Sequence, residues 1–367
     1  MLRFITSRVL QAIPVLFLIS LVSYGLMALA PGGPQAQFNQ NPRISQEQVD
    51  EWLRSWCLER DPDAVGIVRQ YLGWLGIYNC ETQSLLSEQG LPNILPTALG
   101  GGTNGILHGD FGFSIQSGRP VLDLITERIP ATVILMVTAL AISVTIAIVI
   151  GVVAAVKRYS LFDQGATLFS YIFYSLPTFW LGLILIYIFA VNLHWFPSQG
   201  IVNPREAPGA FNSAAYWKGF WADPLPNMLD IAQHLVLPVA TLVAVSIAAD
   251  SRFVRSSMLD TLSQDYVRTA KAKGLPRQRV VFRHAFRNAL LPIITAVSLE
   301  IAFLFSGAIV TETIFSWPGM GRLFFEGITD RDYFLLMGIV LIGSVFVVLM
   351  NLVADVIYAV ADPRIRY

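Results

Sequence analysis

Long apolar runs set the pattern of this chain. Val9–Ala30 is 22 residues without a charge. Ile129–Val156, Gly165–Val191 (which contains Pro177) and Tyr333–Ala354 carry no charge either. Leu235–Ala249 is a 15-residue uncharged run containing Pro238, extended at its ends by His234 and Asp250, and Leu290–Val310 holds a single charge, Glu300. A helix that crosses a bilayer needs about 20 predominantly apolar residues. Any one run could be a buried helix of a soluble domain; six in one chain predict six transmembrane helices. The first, preceded by Arg3 and Arg8, imitates a signal peptide, but an h-region is only about 7–15 residues, so a retained helix is expected.

Composition agrees. Of 367 residues, 54% are hydrophobic and 14% charged, with mean hydropathy +0.57, against about 25% charged in soluble domains. The formal net charge is zero, so no global field points to nucleic acid. The distribution of Lys and Arg is more informative. With the N-terminus inside, the inner segments hold 15 and the outer loops 10, of which the long loop 31–128 supplies six. Long loops translocate regardless of charge; without that one the comparison is 15 against 4. Both termini are therefore expected in the cytoplasm.

The expected fold class is an all-α membrane protein of six transmembrane helices, with a small extracytoplasmic helical cap in the first outside loop. The segments are an N-terminal transmembrane helix (1–30), the cap (31–128) and a core of five helices (129–367) with a cytoplasmic region at 252–288. Within the cap, Val49, Trp52, Leu53 and Trp56 form one apolar face at helical spacing, and Ser45 with Gln48 has the form of a capping box. DAVGIVRQYLGWLGI reads as a second helix, and LPNILPTALGGGTNG as a Pro/Gly-rich connector. The second outside loop, 192–233, holds prolines at 197, 204, 208, 224 and 226 and is expected to be ordered only against a neighbour. Cys57 and Cys80, the only cysteines, both fall in the first outside loop. In an oxidising compartment they form a disulfide or, alternatively, two free thiols packed as small apolar groups.

Residues 265–292, DYVRTAKAKGLPRQRVVFRHAFRNALLP, hold seven Lys and Arg against one Asp. Positive-inside bias explains some of the charge but not its order. Asp265–Lys273 reads as a short helix with Tyr266, Ala270 and Gly274 on one face, ended by Gly274 and Pro276. Small Thr269, Ala270 and Ala272 would let another protein approach closely. Arg277–Asn288 reads as an interfacial helix with a basic stripe of Arg279, Arg283 and Arg287. An amphipathic helix resting on anionic lipid accounts for 277–288, but not for the compact helix ahead of it.

Arg268-Thr269-Ala270, three residues, then Gly274 resembles the cytoplasmic coupling motif of bacterial ABC-importer permeases, and the whole run resembles the dipeptide/oligopeptide/nickel branch. GDFGFSIQSGRPVLDLITERIPAT, RSSMLD, ETIFSWPGMGRL and the closing ADPRIRY are similar to the same branch, so the resemblance spans nearly the full length. Arg268 and Thr269 replace the Glu and first Ala of the general motif, and His284–Arg287 stands where sugar permeases have Ile-x-Leu-Pro. Both departures are typical of the peptide branch. The segment around 78–105 looks like an insertion. The resemblance implies a multi-pass permease subunit of a bacterial inner membrane that moves di- or oligopeptides inward, paired with a second, related permease. It implies two cytoplasmic ATPases docked through Asp265, Tyr266, Arg268, Thr269, Ala270, Lys273 and Gly274, and an extracytoplasmic substrate-binding protein. Nickel complexes, glutathione and oligosaccharides are alternative cargoes.

No cofactor is expected in the chain itself; ATP and Mg²⁺ would act in the partner ATPases. There is no G-x-x-x-x-G-K-[ST], HExxH or GxSxG, and GGGTNG at 100–105 lacks the lysine. No catalytic or metal-binding residue is predicted. His108, His194, His234 and His284 are dispersed and read as surface or interfacial residues. Glu300 falls near the bilayer midplane, where a charge costs roughly 2.5–3.5 kcal/mol on insertion scales. It lines the translocation path, with Ser306 a second candidate, or it bonds a neighbouring helix. Asp250, Arg252 and Arg255 are expected to pair among themselves, and Asp355 to be a helix-end polar group. A self-sufficient secondary transporter would show several midplane charges and inverted repeats, and a membrane enzyme an acid–base or metal cluster; neither pattern is present.

Overall fold

The computed structural model describes residues 2–29, 64–77, 105–114, 116–207, 209–302 and 307–361. They are helical with no β-strand among them; Phe113 and Pro120 form an isolated bridge. The elements are α1 (Leu2–Ala28), α2 (Ala64–Leu75), α3 (Val121–Val156), α4 (Leu161–Ser175), α5 (Thr178–Leu185), α6 (Ala214–Ala222) and α7 (Pro224–Leu262). They continue as α8 (Asp265–Ala272), α9 (Arg277–Ile301), α10 (Ile309–Ile314), α11 (Met320–Thr329) and α12 (Tyr333–Ala361). Five of these are long and apolar enough to span a bilayer: α1 from Thr6, α3, α7, α9 and α12 from Tyr333. Together, α4 and the stretch Thr178–Asn192 are also long and apolar enough, as a pair bent by 99° that is either a broken span or a re-entrant loop.

The bend has a local cause. Leu176 adopts extended ψ 130 and Pro177 follows at φ −61. Proline disfavours the α region for the residue before it and has no N–H to continue a ladder. The run Gly165–Val191 is therefore two helical pieces. Pro14, Pro238 and Pro292, by contrast, lie inside α1, α7 and α9 without ending them. Other spans also differ from their uncharged runs. α3 begins at Val121, eight residues before Ile129, because its first turns are amphipathic: Val121, Leu124 and Ile125 are buried while Leu122, Asp123 and Thr126 face outward. α7 extends far beyond Leu235–Ala249 at both ends, with Pro224 in its first turn, where proline's fixed φ suits a helix start.

The chain divides into two compact units. One comprises Thr6–Glu127 and Phe324–Val345. In it α2 lies on α1: the Ser20 and Tyr71 hydroxyls are 2.8 Å apart, Tyr24 Oη donates to Gln70 Oε1 at 3.4 Å, and Tyr24, Tyr71 and Trp74 stack edge to face or tilted. Leu10, Leu18 and Leu26 of α1 stay exposed, as expected of a surface that meets lipid. Cys57, Cys80 and the helix predicted around Val49–Trp56 lie outside the described residues.

The other unit comprises Met1–Ile5, Arg128–Leu323 and Phe346–Tyr367. It has two apolar centres. In the first, Leu135 and Ala139 of α3 and Val239 and Val243 of α7 enclose Ile201, Phe211, Tyr216, Phe220 and Trp317. The proline-rich loop 192–233 is thus ordered against its own chain, through the aromatic residues that precede and form α6, rather than only against a neighbour. In the second, Val152 and Ala155 of α3, Val254 and Met258 of α7 and Val280, Val281 and Ala285 of α9 surround Val267 and Ala270 of α8.

Candidate coupling site

α8 is delimited by its sequence. Asp265 sits in the first turn and Lys271 in the last, the polarity a helix dipole favours. At the far end Gly274 adopts φ 73, donating its N–H to Lys271 O at 3.0 Å, while Leu275 N–H reaches Ala270 O at 3.4 Å. These two bonds make a Schellman cap, whose left-handed residue is glycine because a Cβ is penalised there. Pro276 follows, which cannot donate back into the helix.

The faces of α8 divide sharply. Val267 (0% exposed) and Ala270 (5%) are buried in the second apolar centre. Asp265, Tyr266, Arg268, Thr269, Lys273 and Gly274 are exposed. Ala270 was expected on the docking surface with Tyr266 and Gly274; it faces the chain's own core instead, so its small size serves packing between α8 and the spans. Tyr266 Oη accepts from Asn288 Nδ2 at 3.0 Å, which ties the outer face of α8 to α9. The Arg268–Asp265 pair, 3.5 Å apart and fully exposed, contributes little.

The expected interfacial helix and fifth span are one helix. α9 starts at Arg277 and passes through a wide π-type stretch, Val280–Phe286, before resuming as an α-helix. The wider turn keeps Arg279, Arg283 and Arg287 on the exposed side, while Val280, Val281 and Ala285 point inward. The run Leu290–Val310, whose one charge is Glu300, therefore misses the first thirteen residues of α9.

Three helices brace α8 from behind. Arg277 Nη2 donates to Val156 O at 3.0 Å, linking the start of α9 to the end of α3. Arg255 of α7 binds Asp163 of α4 through two hydrogen bonds, 2.6 and 2.9 Å. Asp163 also accepts from the N–H of Tyr159, whose left-handed φ of 65 needs such support. α3 and α7 cross so closely that a Cβ on Gly151 would lie 2.6 Å from Val254 Cβ. A displacement of α8 would thus be passed to α3, α7 and α9 through packed atoms.

Other predicted residues are placed differently. Asp250, Arg252 and Arg255 do not pair among themselves. Asp250 lies beside Glu300, Arg252 donates to Ala248 O and lies over the rings of Tyr171 and Tyr174, and Arg255 takes Asp163. Glu300 of α9 thus faces Asp250 of α7. Ser306 lies outside the described residues. His108 and His194 are exposed, but His234 is buried, its Nδ1 2.8 Å from Asp230 O. Asp355 is interior to α12 rather than at its end.

Sequence reading missed Glu312. It is fully buried in the connection after α9, where Oε1 accepts from Thr132 Oγ1 (3.1 Å) and Ala308 N–H (3.3 Å), and Oε2 from Arg322 N–H (3.0 Å). Gly321 N–H is a further donor. Burial pushes this carboxyl above its ordinary value; the four donors pull the other way. Thr132 Oγ1 in turn accepts from Met320 N–H at 2.7 Å, and Trp317 Nε1 donates to Ala131 O at 2.8 Å. A Cβ on Gly319 would stand 2.5 Å from both Glu312 Oε2 and Thr132 Oγ1, so only glycine fits. The signal was present: Glu312 is the sole charge between Glu300 and Arg322, beside a W-P-G-M-G turn whose N–H groups need acceptors.

Residues 147–367, which include α8 and its supports, match the family described as binding-protein-dependent transport system inner membrane component. The chain belongs to that family. Among curated proteins, the permease is 38% identical to the oligopeptide transport system permease protein AppB of Bacillus subtilis (strain 168), over the full length of both chains. It is 35% identical to the di/tripeptide transport system permease protein DppB of Pseudomonas aeruginosa (strain UCBPP-PA14), covering all of this chain and 99% of that one. It is 34% identical to the dipeptide transport system permease protein DppB of Escherichia coli (strain K12), with the same coverage.

Proposed function

We propose that this permease is the translocating subunit of an ATP-driven importer that carries di- or oligopeptides inward across a bacterial inner membrane. It pairs with a second, related permease and receives cargo from an extracytoplasmic binding protein. Two ATPases, which hold ATP and Mg²⁺, dock on α8 and its counterpart. Both termini and residues 252–288 lie on the cytoplasmic side, and residues 31–128 are the extracytoplasmic cap. The full-length relatives that bear peptide-permease names support the cargo. Support for the coupling role comes from α8: its outer face is exposed while its inner face is packed against three spans.

Coupling is then mechanical. ATP closes the ATPase pair, α8 follows, and the braced spans tilt as a body, which gives alternating access. The test is uptake of labelled dipeptide into proteoliposomes holding both permeases and the ATPases, with binding protein outside. Uptake should require ATP and should be lost in Gly274→Trp while the subunit still assembles in the membrane. Normal ATP-coupled uptake in that variant would remove α8 from the coupling path; uptake without the ATPases would remove the importer reading.

A further inference from the structure

Behind α8 lies a cleft of about 560 Å³ that coupling leaves unused. Its floor is apolar, with Leu259 and Leu262 at the end of α7, and Leu275 after α8. Its charged lining is Arg158, Lys271 and Arg277, with no acidic side chain. Two of these cations are held in place. Arg277 uses one of its five donors on Val156 O, and Arg158 lies 4.5 Å over the ring of Tyr159. At about 100° per residue, Lys271 sits on the flank of α8 beyond buried Val267, away from Tyr266, Thr269 and Lys273.

Three cations call for an anion, and an apolar floor beneath them calls for hydrocarbon. A carboxylate side chain of an ATPase would satisfy only the first demand, and it would have to reach past the face that α8 presents outward. The cleft opens where α3 and α7, two spanning helices, end. We infer that it binds an anionic phospholipid of the inner leaflet, with the phosphate on Arg158, Lys271 and Arg277 and an acyl chain against Leu259, Leu262 and Leu275. Basic pockets between helices at the cytoplasmic side are suited to such headgroups. The lipid would fill the space behind α8 and stiffen the joint through which it pushes. This placement rests on the inside assignment of residues 252–288 made above.

The experiment counts lipid on the intact complex, so it does not depend on transport. The purified complex is equilibrated with phosphatidylglycerol and phosphatidylcholine, and bound lipid is measured by native mass spectrometry. Wild type should retain phosphatidylglycerol preferentially. Arg158→Gln/Lys271→Gln should weaken that retention about 25-fold, at about fivefold for each cation near a membrane surface, whereas Lys157→Gln/Arg279→Gln, equal in charge but outside the cleft lining, should not. Equal loss in both double variants would reduce the effect to general surface charge and overturn the site. Displacement of the lipid by inorganic phosphate at comparable concentration would make the ligand a soluble anion and overturn the lipid assignment. Loss of the ATPases from Arg158→Gln/Lys271→Gln with lipid retention unchanged would make the cleft a protein contact, with the same consequence.

Discussion

Two irregular connections flank α9, and they are built on opposite plans. The one before it, Ser263–Pro276, buries two side chains of α8, Val267 and Ala270, and leaves its polar groups outside. The one after it, Gly307–Met320, buries Thr311, Glu312, Phe315, Trp317 and Met320 and anchors them to α3. The first ends its helix with its own backbone, through the Gly274 cap. The second borrows a carboxylate to satisfy N–H groups that no ladder reaches. A buried turn must account for every backbone donor, so it becomes rigid; an exposed turn leaves that to water and stays free to meet another surface. The contrast separates a clamp, which fixes the end of one span to another, from a handle.

The comparison is broken most severely at the clamp. Glu312→Ala leaves three buried backbone N–H groups and the Thr132 hydroxyl without their acceptor. At about 1–3 kcal/mol for each orphaned buried group, the loss should be about 3 kcal/mol or more, enough to deplete folded protein. Glu312→Gln keeps one acceptor oxygen and should fall between the variant and wild type. Thermal unfolding of the detergent-purified subunit measures both. An unfolding midpoint for Glu312→Ala within a degree or two of wild type would show that the network is dispensable.

The handle is sharpened by a variant of its buried side. Ala270→Leu forces three extra carbons between Val267, Val254 and Val281. Overpacking of this kind costs about 1–3 kcal/mol, so the unfolding midpoint should drop while Tyr266, Thr269 and Lys273 remain in place. If Ala270→Leu keeps full stability and loses only ATPase binding, Ala270 belongs to the docking surface after all.

These two regions also show what a single sequence makes legible. α8 could be read almost to the residue, because its start, its length and its Gly–x–Pro stop are all local. Its buried side could not, because what sets Ala270 apart from exposed Tyr266 and Gly274 is what other helices bring to it. The apolar runs located the long apolar helices but misjudged their ends. A charge-free window stops at Glu127 and Arg128, although a helix whose first turns are amphipathic runs through them. Partners distant in sequence were invisible. Asp163 and Arg255 are 92 residues apart, and Thr132 and Glu312 are 180 apart; no spacing rule joins them.

A milder change tests the stop of the handle. Gly274 sits at φ 73 with open space where a Cβ would go, so Gly274→Ala meets no clash and pays only for left-handed backbone. That penalty is about 1–2 kcal/mol, and it should appear as a small fall in midpoint with the fold retained. A fall as large as that of Glu312→Ala would mean that the turn is packed against something, and the description of it as an exposed handle would be wrong.

The smallest effect on stability is expected at Thr269. Its hydroxyl donates to Asp265 O within α8 at 2.9 Å, and the side chain is exposed. That intrahelical bond is of the back-bonding kind that does little for a helix, and alanine has the higher helix propensity by a few tenths of a kcal/mol. Thr269→Ala should therefore leave the unfolding midpoint within about 0.5 kcal/mol of wild type, and Thr269→Leu should do the same, since the added bulk points away from the core. Function separates the two. Leucine places a larger side chain on the face proposed to meet the ATPase and should reduce retention of the ATPases on purification and ATP-driven uptake together. Alanine should reduce both less. The neighbouring pair of leucine variants, Thr269→Leu and Ala270→Leu, then forms the sharpest version of the comparison: one should lose the partner and keep the fold, the other should lose stability first. If Thr269→Leu destabilises as much as Ala270→Leu, the two faces of α8 are not the opposites described above, and the handle is packed from both sides.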